Sequence, residues 1–306
     1  MKINELNKGN NKIILMVVCI DEKTSKKGQY LRIGLTDGIT KISANKWDTN
    51  FDAKIGDVCE FNLDVSEYEN NPNYTIKSYG VLPDDAYKKS DFIPTAPIDL
   101  DFTYNALISL INTFKNEELK KLVLNIYTER KEEIIKSSAA KAIHHNQIGG
   151  LLYHTFRMAR TACSLANIYT MVNKDLLLAG ILLHDIGKLN ELNTNELGQA
   201  EYTIEGDLLG HLYIGARYIH DKAIELNIDS HISLALEHII LSHHGLPEYG
   251  AVKYPQCLEA MLIHECDMID SYAYQYEIEL PNIEPYSQSN ENIYGLNKIK
   301  VYNPGI

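Results

Sequence analysis

Apolar residues change their spacing about a third of the way along the chain. Residues 13–82 hold short β-rich runs, Ile13–Ile20, Tyr30–Thr36, Ile39–Ala44, Val58–Val65 and Tyr74–Val81, parted by turn-forming clusters such as Lys26-Lys27-Gly28 and Asn70-Asn71-Pro72-Asn73. Five strands of this size predict a small all-β barrel of the oligonucleotide/oligosaccharide-binding (OB) type, with a sandwich fragment or an SH3-like barrel as alternatives. Pro83–Pro97 carries three prolines and few aliphatic residues, and reads as a linker. Beyond it the apolar period becomes three to four. Tyr104–Phe114 and Glu117–Ile135 are amphipathic, and the second has Asn116 as its N-cap and Glu117 and Glu118 in its first turn. Further helices are expected near 148–170, 174–185, 207–226, 230–243 and 256–276, before an irregular tail from Leu280. The layout is a barrel domain over 1–85, a linker over 86–103 and an all-α helical bundle over 104–306, its tail beginning at about 280.

Composition narrows the setting. With 306 residues, 45% of them apolar, the chain can fill two cores. The apolar run Ile13–Ile20 is far shorter than the ~20 residues a membrane span needs, and Asp21-Glu22 closes it. The residues before it are polar and mixed in charge, with no small-residue cleavage site after it, so it reads as a buried strand and not as a signal peptide. Five cysteines are scattered without a C-x-x-C pair, which suits a reducing cytoplasm. A net charge of −12 is the opposite of a basic nucleic-acid binder, but it is unevenly spread. Residues 1–90 hold 13 basic and 13 acidic side chains, leaving 16 basic and 28 acidic in the remainder. The acidic surplus therefore coincides with the helical part, where bound divalent cations would reverse the local field.

The candidate chemistry lies in that part. His184-Asp185 closes the apolar run Leu176–Leu183, where a carboxylate needs a hydrogen bond, an ion pair or a metal. His154 precedes it, and His211, His243-His244 and Asp267 follow, each on or at the end of a different expected helix; a bundle can aim such residues into one cavity. Imidazole and carboxylate donors suit Mn, Fe, Co, Ni or Zn, and the lack of a Cys cluster argues against structural zinc. Gly187 is available to terminate the helix that ends at the pair. Plainer roles stand beside these. His220 and His231 read as ordinary surface or core residues. His243 and His244 stand about 100° apart on a helix, so one metal reaches only one of them comfortably. Lys188 can be a cation near a helix C-terminus, while His264 and Asp270 flank Asp267 as supporting or ordinary hydrogen-bond partners.

The order His154, His184-Asp185, Asp267 resembles the HD-domain metal-dependent phosphohydrolases, and His211 with His243-His244 resembles their two-metal branch. The resemblance implies one metal on His154, His184, Asp185 and Asp267, and a second sharing Asp185 and adding His211, His243 and His244. Asp185 and Lys188 would be the catalytic residues, Lys188 contacting a nonbridging phosphate oxygen. Two cations ~3.5–4 Å apart can hold a hydroxide between them for attack on a phosphodiester. The flanking stretches sharpen the likeness. Ala142–Thr155, Asp175–Lys188, Tyr202–His211 and Leu241–Gly245 look like the YhaM-type 3′-to-5′ exoribonucleases, which join an N-terminal OB fold to an HD domain. Gly28-Gln29-Tyr30-Leu31, Leu35-Thr36-Asp37-Gly38, Trp47-Asp48, Ile293-Tyr294-Gly295-Leu296 and Tyr302-Asn303-Pro304 extend it over nearly the whole chain.

The resemblance implies hydrolysis of single-stranded RNA from its 3′ end, with single-stranded DNA as an alternative substrate, and two divalent ions, Mn²⁺ the usual choice. An OB groove can track a strand while aromatic side chains stack its bases at ~1–3 kcal/mol each. Tyr30, Trp47, Tyr68 and Tyr74 are candidates, although strand tyrosines usually pack and Trp47 reads preferentially as the barrel's core tryptophan. His144-His145 either lines the path of the 3′ terminus or caps the turn before Gly149-Gly150. With no net positive charge, the barrel's RNA affinity should be modest and salt dependent. A homo-oligomer is open. One competing reading is an HD enzyme acting on nucleotides or cyclic nucleotides; the cyclic-di-GMP version is disfavoured, because Gly-Leu-Pro-Glu-Tyr-Gly and not Asp-Gly-x-Gly-Tyr-Pro follows His243-His244. Another is a non-enzymatic single-strand binding protein, against which the converging polar set argues.

Overall fold

A computed structural model describes residues 2–25, 28–68, 71–139 and 147–306. The chain divides into two compact units, Met1–Thr95 and Ala96–Ile306. In the first, β1 (Gly9–Ser25), β2 (Gly28–Thr36), β3 (Lys41–Lys46), β4 (Val58–Tyr68) and β5 (Asn71–Val81) close a barrel in the order β1-β2-β3-β5-β4. Among the described residues of the barrel, the β3–β5 pairing is parallel and the others are antiparallel. This is the OB architecture the strand pattern predicts. Alternate positions, Leu15, Val17, Ile33, Leu35, Phe61 and Leu63 among them, fill the interior, as a half-exposed sheet requires. The strands outrun their apolar runs because backbone pairing continues through polar residues, as in Thr24↔Gln29 and Asn10↔Asp64. A bulge between Val17 and Cys19 shifts the register of β1 against β2.

The Leu35-Thr36-Asp37-Gly38 motif is a turn held by one carboxylate. Asp37 Oδ1 accepts from Ile39 N and Thr40 N at 3.0 and 2.8 Å, and its Oδ2 accepts from Ile3 N at 2.8 Å. Gly38 has φ +89°, and a Cβ there would lie 2.2 Å from Asp91 O. The proline-containing stretch around Asp91 is accordingly packed on the barrel and forms 3-10 turns at Asp84–Ala86 and Lys89–Phe92.

The second unit comprises α1 (Leu100–Ile111), α2 (Glu117–Glu129), α3 (Lys131–Lys136), α4 (Gly150–Ile168), α5 (Lys174–Leu183), α6 (Lys188–Glu191), α7 (Ile204–Glu225), α8 (Ser230–Ser242) and α9 (Leu258–Glu279), with a hairpin of β6 (Leu192–Thr194) and β7 (Ala200–Tyr202). Asn116 caps α2 by accepting from Glu118 N and Leu119 N. The expected single helix over Glu117–Ile135 is broken at Arg130, whose backbone leaves the helical region at φ −101°, ψ 19°. The guanidinium there engages Glu133, bonds Asn190 at 3.2 Å and lies over the Tyr218 ring. Helix α5, buried from Leu177 to Leu183, packs against α2, α4, α8 and α9. Its apolar run is thus the centre of the bundle, and its C-terminus delivers His184-Asp185 into the interior. The tail is irregular but anchored: Ile283, Leu296 and Val301 are buried together against Tyr272. Among the described residues no helix is long and apolar enough to cross a membrane.

Candidate metal centre

Five helix-borne segments converge around Asp185. His154 comes from α4, His184 and Asp185 from the end of α5, His211 from α7, His243-His244 from the end of α8, and Asp267 from α9. His154 Nε2 lies 3.3 Å from His184 Nε2 and 3.4 Å from Asp267 Oδ1. Asp185 Oδ2 lies 3.2 Å from His184 Nε2 and 2.8 Å from Lys188 Nζ. The other oxygen, Oδ1, faces His211 Nε2 at 3.5 Å and His243 Nε2 at 3.6 Å. His244 Nε2 completes this side at 3.3 Å from His211 Nε2. Each of two groups, His154-His184-Asp185 and His211-His243-His244, brings its donor atoms within 4.8 Å of one another. His243 and His244, expected to compete for one metal, both fall in the group that contains His211.

The hydrogen bonds behind the rings fix what each ring offers. His184 Nδ1 donates to Ile181 O at 2.8 Å, His243 Nδ1 to Ile240 O at 2.8 Å and His244 Nδ1 to Tyr249 O at 2.9 Å. A carbonyl only accepts, so each of these rings carries a proton on Nδ1 and turns its Nε2 inward. Burial lowers the His243 pKa, and burial together with the neighbouring His243 and His211 pushes that of His244 down to about 3, so both stay neutral and available as ligands. His154 behaves differently: burial opposes its charge, yet its hydrogen bonds to Asp267 and Asp270 push it up to about 9. Burial also opposes charge on Asp185, but Lys188 and His184 outweigh it and hold the carboxyl well below the usual range. Asp185 Oδ1 and His243 Nε2 are buried and, among the described residues, have no hydrogen-bond partner. Such orphans in a polar interior call for an explanation, and lone pairs converging on one point fit a cation.

Supporting contacts complete the centre: those of Asp270 and His264 fall on residues expected beside Asp267, whereas those of Arg157, Glu277 and Glu191 were not anticipated from the sequence. Asp270 accepts from His154 Nδ1 at 2.7 Å and is itself gripped by Arg157, which also bonds Glu277 at 2.6 Å. Glu191 accepts from both His211 N and His211 Nδ1 at 3.0 Å. His264 bonds the His243 carbonyl oxygen through Nδ1 at 3.0 Å, so it supports that turn. Gly187 is not the helix terminator expected from the sequence. Its φ of −63° is ordinary, and what it supplies is space: a Cβ would stand 2.1 Å from His211 O and 2.7 Å from Gly215 N. The bare backbone lets the Asp185–Glu191 segment lie directly on α7.

The aromatic candidates fall in the barrel. Trp47 is not its core tryptophan: Phe61 occupies the interior, whereas Trp47, just past β3, is 55% exposed with its ring 5.0 Å from that of Tyr30. Tyr74 is half-buried and packs on the barrel core. Tyr68 ends β4, and His144 and His145 lie outside the described residues. His220 is exposed and bonds Glu237 at 3.1 Å, away from the centre.

A family model described as "HD domain" matches residues 151–272, the stretch that contains all seven converging residues. The helical unit thus contains an HD domain. The 3′-5′ exoribonuclease YhaM of Listeria innocua is 30% identical over 298 residues, covering 95% of this chain and 94% of that protein. The protein of the same name from Bacillus licheniformis is 31% identical over 293 residues, covering 92% of each. The chain belongs to the YhaM family. A solution NMR structure of the second OB-fold domain of replication protein A from Methanococcus maripaludis overlaps 27% of this chain and 93% of that one at 24% identity, with a TM-score of 0.24.

Proposed function

We propose that this protein is a metal-dependent 3′-to-5′ exoribonuclease that removes nucleotides from single-stranded RNA. The observation that carries the reading is the division of Asp185. One oxygen faces the His154-His184 group and the other faces His211 and His243, so a single carboxylate stands between two potential cation sites. The donors suit a pair of divalent ions, one on His154, His184, Asp185 and Asp267, the other on Asp185, His211, His243 and His244. Manganese is the choice we favour among metals that accept imidazole and carboxylate. Bound there, such ions would polarise a phosphodiester oxygen and lower the pKa of a water.

The chain's own groups then have definite tasks. Asp185 ties the two sites together. Lys188, held at 2.8 Å from Asp185 Oδ2, fixes that carboxylate and offers positive charge to a nonbridging phosphate oxygen. His243 and His244, kept neutral by burial, act as donors and not as proton carriers. In the barrel, Trp47 and Tyr30 provide a stacking surface, and Lys46 and Lys77 line an open cleft of about 540 Å³. We assign this unit the holding of a single strand. The free state of all five cysteines suits a cytoplasmic setting.

The test is incubation of Mn²⁺-loaded protein with 5′-labelled single-stranded RNA, beside ordinary nucleotides and a cyclic dinucleotide. The expected result is stepwise shortening of the RNA that disappears in Asp185→Ala together with bound metal. Intact RNA with cleaved nucleotides would replace this reading by a small-molecule phosphohydrolase.

A further inference from the structure

The two ligand groups are unequally supplied with negative charge. The first draws on Asp185 and Asp267, and Asp270 behind His154 is already neutralised by Arg157. The second consists of three imidazoles and can call only on the shared Asp185. Glu191 stands behind it. Its side chain is 10% exposed, it pairs directly with His211, and Lys188 nearby also favours its charge.

Backbone geometry explains why this carboxylate and this histidine meet. Helix α7 is interrupted at Gly210, with φ 70° and ψ 154°, so the regular ladder of amide-to-carbonyl bonds is lost at His211. Glu191 Oε1 takes up the freed His211 N–H at 3.0 Å and the Nδ1 proton of the same residue at 3.0 Å. One oxygen thereby caps the restarted helix and sets the tautomer of its first imidazole, leaving Nε2 as the donor toward Asp185 and His244. Contact between the segments is enforced nearby: Cβ atoms at Gly206 and Gly187 would stand 2.2 Å from Glu191 O and 2.1 Å from His211 O.

We infer that Glu191 is a positioning residue for the second cation: it locks His211 in its ligating orientation and supplies, through that ring, the negative charge the second group lacks. This rests on the two-cation reading above. A carboxylate behind a ligating histidine raises the basicity of the ring, and losing such a partner typically costs ~10–100-fold in metal affinity. Asp270, already paired with Arg157, cannot play the equivalent part for the second group.

The experiment is calorimetric titration of metal-free full-length protein with Mn²⁺, comparing wild type, Glu191→Gln, Glu191→Asp, His244→Ala and the Glu191→Gln/His244→Ala double variant. The amide oxygen of Gln can still accept both His211 bonds, so this change removes charge and keeps the contact. Wild type should bind two ions, and Glu191→Gln should weaken one of them by ~10-fold or more while the other keeps its affinity. Glu191→Asp should recover part of the loss, and the double variant should bind a single ion as tightly as His244→Ala does. Two ions at wild-type affinity in Glu191→Gln, equal weakening of both, or a further loss in the double variant would overturn the inference. A wild-type stoichiometry below two would instead strike the two-cation reading itself.

Discussion

Replacing Gly187 by alanine adds one carbon atom and no backbone strain, since its φ of −63° is available to every residue. The carbon would lie 2.1 Å from His211 O, whereas ordinary contact begins at 3.4 Å. The Asp185–Glu191 segment and α7 must then separate by roughly 1.3 Å, as van der Waals repulsion between backbone atoms leaves no side chain to give way. That motion would stretch the 3.0 Å Glu191–His211 bonds beyond hydrogen-bonding range and widen the 3.5 Å Asp185–His211 approach. Overpacking costs about 1–3 kcal/mol, and losing a charge-assisted hydrogen bond about 1.5–3 kcal/mol. A domain of this size loses ~2–4 °C of Tm per kcal/mol, so a drop of roughly 5–24 °C is expected. Thermal denaturation of the metal-free protein, followed by helical circular dichroism, measures it, and metal analysis should show one of two ions lost. Gly80→Ala is the control, because nothing lies within 4 Å of its added carbon. Gly187→Ala with an unchanged Tm and both ions retained would refute the packing argument.

Two further outcomes follow from the same geometry. Trp47 is the chain's one tryptophan and is exposed beside Tyr30, so saturating single-stranded RNA should quench its fluorescence, and Trp47→Ala should weaken binding by ~1–3 kcal/mol without lowering Tm; an unquenched signal at saturation would exclude the stacking role. His154, raised from 6.5 to about 9 in the metal-free fold, holds a proton at pH 7 that a cation must displace. Calorimetry in buffers of different ionisation enthalpy should therefore detect about one proton released from it at pH 7 and none well above pH 9. Because the folded pKa exceeds the free value, the stabilisation this proton gives the metal-free protein is complete below about pH 6.5 and disappears as pH rises through about 9; a Tm rising over that interval would contradict the sign.

The converging ligands were legible because each follows or occupies an apolar helix, and a carboxylate closing the run Leu176–Leu183 has few tolerable fates. The barrel was legible for a similar reason: strand alternation marks its inner face. What escaped depends on contacts between distant segments. Glu191, after Lys188-Leu189-Asn190, looks like any solvated acidic residue until α6 is laid on α7. The break at Arg130 arises from a side chain reaching Asn190, which no local period records. Trp47 was misjudged because an aromatic residue in a small β domain has two plausible homes, and only the filling of the interior by Phe61 decides between them. Gly187 was read for its conformational freedom when its lack of volume is what matters.

The carbonyl bonds behind His184 and His243 bear on how the protein would live without its ions. Each ring is tied to the peptide three residues before it, at Ile181 and Ile240, within a helix already buried in the apolar core. The side-chain freedom that ligation would otherwise have to remove is gone once the helices pack. Chelation should accordingly yield a folded, inactive protein that recovers on simple readdition of metal, unlike small domains that collapse only around their ion. Scarcity of metal would then act as a reversible brake on turnover, and the supply of folded enzyme would be preserved.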